Sequence, residues 1–176
     1  HYATGSDNIG IGKWAGRSMG QSSAPYASGH RNIAVGTQAN YYLSTGEDNV
    51  AIGHNSNFEN RVGSDNVSMG SYAGYHLRGN GTVAIGYESS RYASGSFNAF
   101  LGYRAGRGGT TSAPYSSGEA NTAVGYEALY SFTTGYNNTA MGYRALYAVT
   151  TGYQNIAVGD NAMRYLTTGA WNVSIG

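Results

Sequence analysis

The pattern G-x-x-N-x-x-x-G, as in Gly135-Tyr-Asn-Asn-Thr-Ala-Met-Gly142, recurs ten times between Gly5 and Gly176 and leaves little of the chain outside it. Repetition at a fixed short period is the signature of stacked architectures and overrides local readings of secondary structure. The repeats open at Gly5, Gly29, Gly46, Gly63, Gly79, Gly95, Gly118, Gly135, Gly152 and Gly169. Successive starts lie 16 or 17 residues apart, except for two lengthened repeats of 24 and 23. Positions below are counted from the opening Gly.

Position 4 is Asn, including Asn32, Asn49, Asn66, Asn121, Asn138 and Asn155, with Thr82 the one substitute. Position 8 is always Gly, as in Gly36, Gly53, Gly125, Gly142 and Gly159. Between them runs a short apolar segment such as Ile33-Ala34-Val35, small in the middle and aliphatic at its third place. In a strand the first and third residues share one face and the middle residue takes the other. The expected arrangement puts the large aliphatics inside a coil and the small middle residue against a neighbouring chain. Phe100, the one large middle residue, then has to fill a gap at that contact.

A second segment follows, as in residues 126–130 and 143–147, with a small residue at its third place, and reads as a second strand carrying the outer face. A Gly every seven to ten residues leaves no room for an apolar stripe at helical spacing. Coils of about 17 residues closing on themselves make an all-β parallel β-solenoid of about ten coils. Asn is expected at a left-handed corner, its amides bonding up the stack, and Gly at corners of positive φ.

Composition agrees with a thin-cored repetitive β protein. The 28 Gly lack the triplet period of collagen, and charged residues make up only 11%. A net charge of +1, with arginines scattered singly along the chain, gives no reason to expect nucleic acid. There is no Cys, hence no disulfide or thiolate metal site. No apolar run approaches the ~20 residues that span a bilayer, so no membrane insertion is expected in this piece. The chain starts and stops within repeat units, and is expected to be a fragment of a longer array.

The two lengthened coils share Ala-Gly-Arg and Ser-Ala-Pro-Tyr and start 90 residues apart, which points to duplication of a five-coil block. Their insertions, about 18–27 and 107–117, are expected to protrude from one edge, where solenoids commonly meet partners. Tyr26 and Tyr115 lie in them.

Asn-Ile-Ala-Val-Gly (32–36), Asn-Val-Ala-Ile-Gly (49–53) and Asn-Thr-Ala-Val-Gly (121–125) resemble the head repeats of trimeric autotransporter adhesins. The longer unit from Asn121 to Gly135 is similar to the shaft repeats of bacteriophage tail fibres. The resemblance covers essentially the whole chain. It implies a homotrimer, exposed outside the cell, on the cell surface or on a virion, that works in attachment to a cell-surface polysaccharide or receptor. Adhesin heads have shorter coils, so a larger cross-section is implied here. The alternative is a self-assembling extracellular filament whose open coils stack end to end.

Chemistry is sparse. The carboxylates, among them Glu59, Glu88, Glu127 and Asp160, fall at variable positions and read as solvated surface groups rather than a glycosidase pair. Gly-x-Asp-Asn at Asp7, Asp48 and Asp65 could form an oxygen ladder for Ca²⁺, but the spacing is not that of the calcium-roll nonapeptide and corner solvation is the better reading. The four His occupy four different positions. No catalytic residue, metal site or cofactor is assigned, and the chain is not expected to be an enzyme. The candidate binding residues are Tyr26 and Tyr115, together with Tyr87, Tyr103, Tyr126 and Tyr143, which share position 9. A second row, Tyr41, Tyr75, Tyr130 and Tyr147, shares position 13 with several arginines. Such rows either stiffen the rod by lateral packing or form a carbohydrate-binding stripe.

Overall fold

The computed structural model describes residues 5–17 and 29–176. Its ten strands have three residues each: β1 (Ile9–Ile11), β2 (Ile33–Val35), β3 (Val50–Ile52), β4 (Val67–Met69), β5 (Val83–Ile85), β6 (Ala99–Leu101), β7 (Thr122–Val124), β8 (Thr139–Met141), β9 (Ile156–Val158) and β10 (Val173–Ile175). They form one parallel sheet in chain order, each residue opposite its equivalent in the next coil, as Ile33 with Val50 and Ala34 with Ala51. The chain is an all-β parallel β-solenoid of about eight turns, with no helix among the described residues. The insertion at 18–27, with Tyr26, lies outside the described residues.

The sheet faces the opposite way from the expectation. The middle residues Ala34, Ala51, Ala84, Ala123, Ala140 and Ala157 are buried, whereas the aliphatics on either side reach outward. The interior is narrow, and larger groups from elsewhere in the coil already occupy it. Leu129 and Leu146 at position 12, and Phe132 and Val149 at position 15, are fully buried. Only a small side chain fits at position 6 beside them.

Phe100 follows the same rule by exception. It points into the core, not to a chain contact, and packs on Phe132 with ring centroids 5.6 Å apart. Its coil has Gly106 at position 12, where a Cβ would overlap the Phe100 ring. Ser68 is likewise paired with Gly74. In the first coil both places are glycine, Gly10 and Gly16, and there a cavity of about 150 Å³ opens between the first two coils.

The expected second strand is absent: residues 126–130 and 143–147 form turns. Three positions per coil, 3, 10 and 12, are left-handed even where the residue is not glycine. Asn137, Arg144 and Leu146 have φ of 54°, 52° and 48°. Single left-handed residues cost most when β-branched, and Val, Ile and Thr are absent from these three columns. The backbone is still satisfied between coils. Arg144 N–H donates to the Tyr126 carbonyl at 2.8 Å and Leu146 N–H to Ala162 at 3.0 Å. This continues the ladder around the coil without regular strand geometry.

The position-4 asparagines bond up the stack as expected, but they are not the left-handed corners; that conformation belongs to the residue before each of them. Asn138 Nδ2 donates to Asn121 Oδ1 at 3.1 Å and to the Gly152 carbonyl at 2.8 Å. Its own Oδ1 accepts from the backbone N–H and Nδ2 of Asn155 at 3.1 and 3.0 Å. Thr82 substitutes with longer contacts, 3.4 Å to Gly95 O and 3.3 Å from Asn98 N–H.

The two invariant glycines serve different needs. Gly142 has φ of 132°, a conformation that side chains resist. At Gly152 a Cβ would stand 2.6 Å from the Gly169 carbonyl oxygen, so no side chain fits between adjacent coils there.

Candidate functional site

Around this scaffold three longitudinal surfaces repeat from coil to coil. The first is the outer face of the sheet, where positions 5 and 7 present Ile, Val, Leu, Met and Thr. Leu101 is 48% exposed and Met141 42%.

The second is an aromatic and cationic flank. Tyr87, Tyr103, Tyr126 and Tyr143 stack with centroids 5.3, 5.0 and 5.2 Å apart and ring planes within 19° of parallel. Position 13 carries the stack Tyr41–Phe58–Tyr75, at 5.1 and 4.9 Å, and the pair Tyr130–Tyr147, at 5.0 Å. Because these rings lie face to face, they present edges and hydroxyls outward more than open faces. Arginines cap the ends of the rows, with Arg144 over Tyr143 and Arg164 over Tyr147 at 5.1 and 5.8 Å. The sequence found the rows; the coil repeat supplies the spacing.

Two carboxylates lie beneath this flank, contrary to the expectation that they are solvated. Glu88 and Glu127, at position 10, are only 3% and 5% exposed. They alternate with Arg104 and Arg144 in the same column. Arg104 Nε donates to Glu88 at 2.9 Å and Arg144 Nε to Glu127 at 2.9 Å, and Arg91 and Arg107 also pair with Glu88. Burial pushes the Glu88 carboxyl up, but Arg91, Arg104 and Arg107 outweigh it and hold the group below its ordinary value. A carboxylate with a depressed folded pKa stabilises the fold above its unfolded pKa, and loses that contribution as pH falls through the folded one. Glu88→Gln is therefore expected to cost about 2 kcal/mol near neutrality. Thermal melts should show the gap to wild type closing as pH drops below about 4.

The described insertion does not protrude freely. Residues 107–117 turn back along the rod, where Ser116 pairs with Ala93 and Ser94 N–H donates to the Ser116 carbonyl at 2.7 Å. Tyr115 reaches a further coil and stacks on His76 at 3.9 Å, beside Tyr92, so it is half-buried. His76 is anchored by Glu59 at 2.7 Å. Burial pushes its pKa down against the pull of Glu59. The loop tip, residues 111–114, is the exposed part.

The third surface is the corner at positions 2 and 3. Here Arg31 bridges Glu47 and Asp48 at 2.9 and 2.7 Å. Asp48 is thus committed to a guanidinium, and no group of three or more His, Cys, Asp or Glu placed to hold a metal occurs among the described residues. Here too stand Tyr136 and Tyr153, stacked at 5.0 Å.

What this geometry offers is a surface that repeats regularly from coil to coil. No family model, curated protein or solved structure matches the chain.

Proposed function

We propose that this chain is a shaft or head segment of a homotrimeric fibre, extracellular or on a virion, that attaches its bearer to a cell surface. The observation that carries the reading is the aliphatic outer face of the sheet. A soluble rod that stayed alone would expose Ile, Val, Leu and Met along ten strands, the whole length of the sheet. That face carries an aliphatic side chain in every coil as one continuous stripe, the kind of contiguous apolar patch that marks an interaction site rather than a scatter of single surface residues. Its regular rows suit a copy of the same rod, because equivalent rows then meet along the whole length. The face asks only that copies meet; the resemblance of the repeats to those of trimeric adhesins and tail fibres is what favours three.

Sedimentation velocity tests this directly. The wild-type chain is expected to run as a trimer. Leu101→Lys with Met141→Lys is expected to run as a folded monomer, because both side chains point away from the coil interior and charge does not enter the core. A wild-type monomer at micromolar concentration would rule the reading out.

A further inference from the structure

Charge that is scattered along the chain is sorted by the fold. The corner at positions 2 and 3 collects Asp7, Glu47, Asp48, Asp65 and Glu119 against one cation, Arg31. The flank at positions 9, 10 and 13 collects the opposite sign. Over the coils from Gly79 to Gly169 it holds Arg91, Arg104, Arg107, Arg144 and Arg164 against Glu88, Glu127 and Asp160. A net charge of +1 conceals both edges.

We propose that this arginine and tyrosine flank is a binding site for a linear acidic glycan, a polymer of uronic acid type. The proposal rests on the attachment reading and names its ligand class. Several observations favour it. The buried Glu88 and Glu127 fix four of the five arginines without consuming them: Arg107 and Arg144 bond a carboxylate through Nε, at 3.3 and 2.9 Å, and keep terminal nitrogens for an outside acceptor. Among the described residues no carboxylate pairs with Arg164, and its buried Nε has no hydrogen-bond partner. The tyrosine rows supply phenol hydroxyls and ring edges beside the guanidiniums, at one coil spacing.

The arrangement is also linear. From Arg91 to Arg164 the cations run along the rod for roughly 20 Å at ~4.8 Å per coil, which suits an extended chain carrying one carboxylate per sugar. Cations held in place by buried carboxylates lose little freedom on binding, and charge-assisted guanidinium bonds to carboxylate are among the stronger polar contacts. Ring faces already occupied by neighbouring rings leave little for stacking a neutral sugar. Charge is therefore the term that selects the ligand.

The test uses the whole chain against immobilised polygalacturonate, with dextran as neutral glycan and single-stranded DNA as a different polyanion. Binding to polygalacturonate that weakens steeply with salt is expected. Arg164→Gln, which breaks no ion pair of the fold, and Arg144→Gln with Arg164→Gln should weaken it roughly tenfold or more with melting temperature monitored alongside. Equal binding to dextran, tighter binding to DNA, or affinity unchanged in both variants overturns the proposal. So does failure to bind polygalacturonate at all. None of these outcomes alters the sedimentation result, so failure of the ligand assignment and failure of the fibre reading are separable.

Discussion

Replacing Phe100 by Ala is expected to destabilise the rod by about 3–5 kcal/mol, the usual cost of emptying a buried aromatic site. The space it leaves cannot collapse readily. Coils on both sides are bonded at fixed register, and Gly106 opposite contributes no side chain. Gly106→Leu alone is expected to be worse, since its Cβ would overlap the Phe100 ring. The double substitution, Phe100→Ala with Gly106→Leu, should recover most of the loss. It recreates the small-and-large pairing of Ala123 with Leu129 and Ala140 with Leu146, where leucine sits left-handed at φ of 52° and 48°. Phe132 is the neighbour both arrangements must fit. Chemical denaturation of the four proteins gives the coupling directly. A double variant no more stable than the worse single would show that the two positions do not share one volume.

That pairing also explains what the sequence disclosed and what it withheld. The repeat period located every strand, and the asparagine ladder and tyrosine rows followed from stacking equivalent positions. The direction of the sheet did not follow. Alternation says that Thr139 and Met141 share a face and Ala140 takes the other, but not which face is inside. The deciding signal lay six residues on, in Phe100 with Gly106 and Ser68 with Gly74, and is readable only once position 12 is known to enter the core. The supposed second strand failed for a related reason. Residues such as Glu127, Leu129, Arg144 and Leu146 look compatible with extended chain, and only the missing β-branched residues in their columns mark them as left-handed.

The charged flank was hidden differently. Arg91, Arg104, Arg107, Arg144 and Arg164 are separated in sequence, and they align only after each is assigned a position in the coil. Glu88 and Glu127 read as surface groups because carboxylates fall at variable positions of the repeat, and Arg91 beside Glu88 is the one partner within the same coil. Their main partners lie one coil away. The folding back of 107–117 depends on Ser116 and Tyr115 finding the preceding coils, which the period alone does not encode.

Asn138→Ala is expected to cost about 3–5 kcal/mol, more than removing an ordinary buried polar side chain. The substitution empties little volume, so the loss is polar. It strips the Gly152 carbonyl of its amide donor and deprives the Asn155 backbone N–H of its acceptor, both inside the rod. It also breaks the side-chain links to Asn121 and Asn155, interrupting a ladder that otherwise runs unbroken from Asn98 to Asn172. Asn138→Asp should be worse than its similar shape suggests, because a carboxylate cannot donate to Asn121 Oδ1 or to the Gly152 carbonyl and would be buried without a counter-charge. Asn138→Thr should fall between Asn and Ala. Thr82 shows that a hydroxyl can bridge the same carbonyl and N–H, only at longer range. Amide hydrogen exchange reads the effect locally: the Asn155 N–H, protected in the wild type, should become one of the faster interior amides in Asn138→Ala and recover part of its protection in Asn138→Thr. Unchanged exchange at Asn155 would mean that the column fills space rather than satisfying the backbone, and the persistence of Asn at nine of ten repeats would need another physical cause.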